Sequence, residues 1–252
     1  MAKYFLIFGL LVGTDNTEIF GQSLPPIQCD RPDQTECPFI VPKNHFQMEN
    51  GFSFEQTDDK TQSYFHPSSL LKYGINNQLE LWLITESTTI HSGTQSLTGL
   101  SPIKVGFKIN MVQDNGIIPR TSFIAHLTIP YFASDNFKST YFAPSFRFTM
   151  QHELTEKLGL GYNLGAEWDG ESAEPIFIYT LTTGYSFTSK AGGYIELYGF
   201  APQKSQPDHR FDCGFIYLLR PNILLDISGG IGLTDNAQKY YLALGFSFRL
   251  KN

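Results

Sequence analysis

From His45 to its C-terminus this chain repeats segments of about ten residues in which apolar side chains alternate with small or polar ones. Residues 158–168 are the clearest case. Gly159, Gly161, Asn163, Gly165 and Glu167 form one face; Leu158, Leu160, Tyr162, Leu164, Ala166 and Trp168 form the other. A tilted strand crossing a hydrocarbon layer needs about 9–11 residues, whereas strands of soluble domains average about 5–6. The repeat therefore predicts an all-β fold: an antiparallel transmembrane β-barrel with lipid outside and a polar lumen.

Composition agrees with this reading. Of the 252 residues, 15% are aromatic and only 17% charged, yet mean hydropathy is slightly negative. Alternation hides hydrophobicity in the average. No apolar run reaches the roughly 18 residues of a spanning helix. The net charge of −6, with no basic block, excludes nucleic acid as the expected partner.

The first 22 residues read as a secretory signal peptide. Lys3 is the positive start, Tyr4 to Val12 the apolar core, and cleavage is expected after Gly21 or Gln22. A buried N-terminal strand is the alternative, but the length and flanks favour export. Of the three cysteines, Cys29 and Cys37 flank a short polar segment, and a disulfide between them is expected in an oxidising compartment. Cys213 sits on an apolar strand face and reads as a small unpaired hydrophobe. Cys29 lies too far past the apolar core to be a lipoprotein cysteine.

About twelve strands are expected, an even number as bacterial barrels require. They run near 45–55, 69–75, 78–86, 102–110, 121–130, 140–150, 158–168, 175–187, 193–200, 209–219, 222–232 and 239–250. Residues 45–252 thus form one barrel, preceded by an N-terminal segment, 23–44. Alternate connections carry turn-forming or charged residues: Asn76-Asn77, Gln113 to Gly116, Leu154 to Glu156, Ser189 to Ala191 and Arg220-Pro221. These read as periplasmic turns. Residues 56–68, 87–101, 131–139, 169–174, 201–208 and 233–238 read as external loops. Both termini then fall on the periplasmic side. The last strand, with Tyr240, Leu242, Leu244, Phe246, Phe248 and Leu250 on one face, is similar to the segment that such barrels present to the barrel-assembly machinery.

Phasing each apolar face toward lipid sends most charges inward, since Lys or Arg on the lipid face near the midplane costs about 2–4 kcal/mol. The inward set is Glu49, Glu55, Lys72, Glu80, Glu86, Lys104, Lys108, Arg147, Glu167, Glu196, Asp212, Asp226 and Arg249. Its mixed signs predict an ion network that either braces a narrow barrel or lines a solute route. Catalytic signals are weak. His126 and Thr128 share the inward face of one strand with Ser122, but no acid and nucleophile are evident beside the histidine. The histidines show no metal-ligand spacing, no phosphate-binding loop is present, and no cofactor is expected. The glycines of 228–232 read as strand glycines.

Residues 29–49 differ from the rest. Asp30, Arg31, Pro32, Asp33, Thr35 and Pro38, then Val41, Pro42, Gln47 and Glu49, match D-R-P-D-x-T-x-S-P followed by V-P-x-G-x-x-Q-x-E. This start resembles that of the outer-membrane channel family named after the meta-pathway of phenol degradation, with Cys37 at the usual Ser and Asn44 at the usual Gly. The resemblance implies an outer-membrane barrel passing small, often hydrophobic, compounds. Polar and proline-rich, the Asp30–Glu36 segment suits neither lipid nor another ladder strand. It is expected to enter the periplasmic mouth as a partial plug, with Arg31 on Glu49 or Glu80 and Asp33 on Lys72 or Arg249. A solvated tail is the alternative. The expected function is passage of small molecules. The alternatives are a hydrolase using His126 and a structural barrel with a sealed lumen.

Overall fold

The structure, a computed structural model, describes residues 24–251; the expected signal peptide lies outside them. Thirteen strands form: β1 (His45–Gln56), β2 (Thr61–Gly74), β3 (Leu79–Ser92), β4 (Gln95–Leu100), β5 (Ile103–Val112), β6 (Arg120–Ile129), β7 (Ala143–Glu153), β8 (Leu158–Glu167), β9 (Ile176–Ser186), β10 (Ala191–Pro202), β11 (Asp208–Arg220), β12 (Ile223–Gly232) and β13 (Tyr240–Lys251). Every pair is antiparallel; each strand except β4 pairs with two neighbours in the ring, β3 carries β4 as a third, and β1 closes the ring on β13 from His45↔Lys251 to Gln56↔Tyr240. The result is a closed barrel of twelve strands with one extra strand, β4, paired on β3. Closure leaves no strand edge in the wall, the one sheet arrangement that satisfies backbone groups in lipid.

The alternation resolves into two faces. On β13, Leu242, Leu244, Phe246 and Leu250 point outward at 41–61% exposure, while Tyr241, Ala243, Ser247 and Arg249 are buried. On β10, Ile195 and Leu197 are exposed and Glu196 and Tyr198 are buried. The largest fully enclosed side chains are mostly polar or charged, among them Lys72, Lys108, Gln47, Glu49, Glu80, Glu196 and Asn163. This core is a lumen.

The ring has a turn end, where β1 begins and β13 finishes, and a loop end. Two stretches expected as loops are partly strand. Within 56–68, β2 starts at Thr61 and bulges between Phe65 and Ser68. Within 87–101, β3 runs on to Ser92 and folds back as β4. β3 thus runs on past its pairing with β5, which ends at Ile84↔Lys104, and β4 takes the place of β5 beside it.

Candidate functional site

The N-terminal segment, residues 24–44, enters the lumen at the turn end and is gripped on many sides. Its backbone is irregular, so its donors and acceptors must be met by side chains of the wall. Ile27 N–H donates to Pro221 O at 2.8 Å, Arg249 Nη2 to Pro25 O at 2.6 Å and Gln47 Nε2 to Gln28 O at 2.7 Å. Deeper, Glu36 and Asn163 exchange two hydrogen bonds of 2.8 and 3.0 Å. Ser122 Oγ donates to Pro38 O at 2.7 Å. Arg147 donates to Gln34 O at 3.0 Å and lies 3.8 Å from Glu36. Glu196 accepts the Gln34 N–H at 2.8 Å and the Thr35 hydroxyl.

Asp30 is the hub. Its carboxylate takes Lys72 Nζ at 2.5 Å, Lys108 Nζ at 2.8 and 3.0 Å, and the Cys37 N–H at 2.8 Å. Lys72 also pairs with Glu49, and Lys108 lies 3.7 Å from Glu80. Both ammonium groups stand over the Trp82 ring, at 5.3 and 4.9 Å from its centre, and Trp82 Nε1 donates to Glu80 at 2.7 Å. Glu49 accepts the N–H groups of Asp30 and Arg31 at 2.9 and 3.1 Å, and Glu80 that of Val41 at 2.6 Å. Two buried cations and three buried anions are thus paired and hydrogen-bonded, the condition under which burying them is tolerable. Burial alone would raise the Asp30 pKa; Lys108 and Lys72 outweigh it and hold the carboxyl well below the usual carboxylate range. A depressed pKa stabilises the seated segment above the unfolded value, and that contribution is lost only as pH falls through the folded one. Mild acid therefore leaves this contact intact.

Several expected pairings are corrected. Arg31 pairs through its side chain with Asp226, Nη2 to Oδ1 at 3.0 Å; Glu49 takes only its backbone N–H, and Glu80 is occupied by Trp82 and Val41. Asp33 meets neither Lys72 nor Arg249. Lys72 belongs to Asp30, and Arg249 holds Pro25 O. Burial, then the Glu196 and Asp212 carboxylates, raise the Asp33 pKa instead. Cys29 and Cys37 are free thiols. The Asp30 carboxylate takes up the Cys37 backbone, while Cys29 Sγ faces Gln47 at 3.9 Å. Cys213 is free and exposed on the outer face. His126 Nδ1 lies 3.4 Å from Ser145 Oγ, a contact across to β7 rather than with Thr128 or Ser122, and its Nε2 is buried without a partner. Lys104 and Glu167 stand apart from the Asp30 network, at the loop end. Sequence reasoning missed Trp82, although its inward position two residues from Glu80 was readable.

Gly51 and Gly245 face each other across β1 and β13. A Cβ on the first would overlap the Arg31 guanidinium, and on the second the Asp226 carboxylate. We expect Gly51→Leu to push Arg31 off Asp226 and loosen one corner of the segment. Faster alkylation of Cys29 in folded protein, read by mass of its peptide, is the readout, and an unchanged rate counts against the glycine floor.

The segment leaves a cavity of about 380 Å³ beside β7–β10, with Arg31, Asp33, Glu36 and Tyr194 in its lining. A second cavity, about 420 Å³, opens at the loop end. Among the described residues no cluster of ligating side chains suits a metal ion.

A family model described as "Putative MetA-pathway of phenol degradation" matches residues 29–250. No curated protein matches the chain. Among solved structures, an outer-membrane channel from Pseudomonas putida F1 superposes with a TM-score of 0.70 at 13% identity, covering 87% of this chain and 99% of the other. The NanC porin gives a TM-score of 0.55 at 13% identity, with 81% and 100% coverage. The KdgM porin gives 0.53 at 10% identity, with 80% and 98% coverage. At these identities the likeness establishes the fold, that of outer-membrane barrels.

Proposed function

This chain belongs to the family of the MetA pathway of phenol degradation, and from that premise we propose that it is an outer-membrane channel for small molecules, hydrophobic ones included, with its own N-terminal segment as a partial plug. One observation carries the reading. The turn end of the lumen is filled by a segment held through hydrogen bonds and ion pairs, rather than by packed apolar side chains of the wall. Twelve strands lie between barrels that fill themselves at about eight and open porins at about 16–18. A removable filling is what such a width needs to pass a solute on demand.

In this reading the turn end faces the periplasm, lipid surrounds the apolar band, and β13 is the strand presented to the barrel-assembly machinery. The bonds from Arg31, Gln34, Thr35 and Glu36 to the wall favour a seated plug over a solvated tail. The hydrolase alternative draws less support. His126 has a hydroxyl neighbour but, among the described residues, no carboxylate bonded to its ring.

The test is deletion of residues 29–37, with Arg31→Ala as the milder variant, in planar bilayers and in liposome swelling with phenol-sized solutes. Conductance and swelling should rise several-fold for the deletion and less for Arg31→Ala. Unchanged permeability in a barrel that still shifts on heating in a detergent gel returns the segment to the role of a tail. Permeability near zero in both variants favours the sealed structural barrel.

A further inference from the structure

We propose that the loop end of the barrel carries a binding site for a small zwitterion with an apolar body, the chemistry of an aromatic amino acid, with Lys104 and Glu167 receiving its two charged ends. The site lies at the opposite end of the lumen from the plug and goes beyond the reading of passage, because binding there requires no conduction.

Lys104 shares the inward face of β5 with buried Lys108, and Glu167 shares that of β8 with buried Asn163. Two strands, β6 and β7, separate them. Both line the cavity of about 420 Å³, Lys104 exposed and Glu167 half-buried. Among the described residues neither makes a side-chain hydrogen bond or ion pair, whereas the other charges around this cavity are engaged. Glu86 accepts from Thr88 and Ser101 at 3.3 and 3.2 Å. Glu171 holds the N–H and hydroxyl of Thr140 at 3.0 and 2.7 Å. Lys138 pairs with Asp135 at 2.6 Å, and Asp169 caps the N–H groups of Glu171 and Ser172 at 2.8 and 2.9 Å. One ammonium and one carboxylate are left unanswered.

That pair sets the selection. While the cavity is wet, both charges are solvated. A ligand that displaces the water must answer each of them, or leave one desolvated and unpaired. A singly charged solute satisfies one and penalises the other; a zwitterion satisfies both. Rejection by unpaired polar groups is the stronger half of such specificity.

The apolar part of the lining is built, not incidental. Phe137 and Trp168 both line the cavity. Phe137 sits on the short turn Asp135–Phe137, which is tied to β4: Ser134 N–H donates to Leu100 O, and Leu100 N–H to Ser134 Oγ, both at 2.9 Å. The Phe137 ring lies so close over Gly99 that a Cβ there would overlap it. Trp168 is fixed by its N–H to Pro144 O at 3.0 Å and by Nε1 to Ala173 O at 3.1 Å. The extra strand thus has a purpose in the site, holding one of the two aromatic walls.

The chain has two tryptophans, Trp82 in the plug network and Trp168 in this cavity, so fluorescence reports the site directly. The folded full-length protein in detergent is titrated with L-phenylalanine, 3-phenylpropionate, which lacks the ammonium, and 2-phenylethylamine, which lacks the carboxylate. L-Phenylalanine should give a saturable change, with both analogues weaker by roughly tenfold or more, the least that one unpaired charge in a part-wet site implies. Trp168→Phe should abolish the signal. Lys104→Gln should bring L-phenylalanine down to the level of 2-phenylethylamine, and Glu167→Gln to that of 3-phenylpropionate. Equal responses to all three probes, no saturation with any, or a signal that survives Trp168→Phe overturns the proposal. None of these outcomes bears on the plug, which conductance tests separately.

Discussion

Asp30→Ala should convert a mostly closed barrel into a leaky one, with a larger effect than any other single change in the N-terminal segment. Asp30 is the one carboxylate shared by both buried lysines, with contacts of 2.5 Å to Lys72 and 2.8 Å to Lys108. Removing one partner from a buried ion network costs about 3–5 kcal/mol. Glu49 and Glu80 still face the lysines, so the lower end applies. A loss of about 3 kcal/mol multiplies the ratio of unseated to seated segment by more than about 100. In planar bilayers this should appear as longer and more frequent openings, and in swelling assays as faster uptake. Asp33→Asn is the control three residues away. Its carboxyl has no cation and lies near two other carboxylates, which with burial raise its pKa. A raised pKa means that ionisation works against the seated state, so a neutral side chain should leave the plug in place or tighten it. Equal leak in both variants would show that Asp30 is not the hub.

The contrast between these two aspartates also shows where sequence reasoning runs out. The wall was legible because burial in lipid enforces a period of two. A residue such as Asn163, Glu196 or Arg249 has only two directions to point, and the outward one is costly. Residues 30–36 have no such period. They are irregular and contain a proline, so nothing in their order tells that Asp30 rather than Asp33 turns to Lys72, or that Arg31 reaches Asp226. Lys72 and Lys108 are distant in the chain and become neighbours only because β2, β3 and β5 are consecutive around the ring, with Trp82 between them. The extension of β2 and β3 and the added β4 were missed for a related reason. Gln95–Leu100 pairs only with β3 and is exposed along most of its length, so it has no apolar face to carry the signature that finds the others.

Leu197→Arg should destabilise the barrel far more than an arginine near the end of a strand on the same outer face. Leu197 lies mid-strand in β10, outward at 47% exposure, with Leu181 and Phe211 as its cross-strand partners. Arginine at the bilayer midplane on the lipid face costs about 2–4 kcal/mol, falling to about 0–1 near the interface. Leu250 is also outward, at 51% exposure, but lies next to the turn end, so Leu250→Arg supplies the shallow comparison. Gly184 supplies the lumenal one. It lies on the inward face of β9 and lines the turn-end cavity, and a Cβ there meets no atom within 4 Å. Urea unfolding in lipid vesicles should rank Leu197→Arg well below wild type, with Leu250→Arg and Gly184→Arg both close to it. The ranking separates two physical claims. Depth dependence between the two leucines requires a hydrocarbon layer around the ring, whereas tolerance at Gly184 requires water and polar groups inside it. A barrel wrapped by water would accept all three substitutions. A Leu197→Arg protein as stable as wild type would therefore remove the membrane from the argument while leaving the strand order untouched.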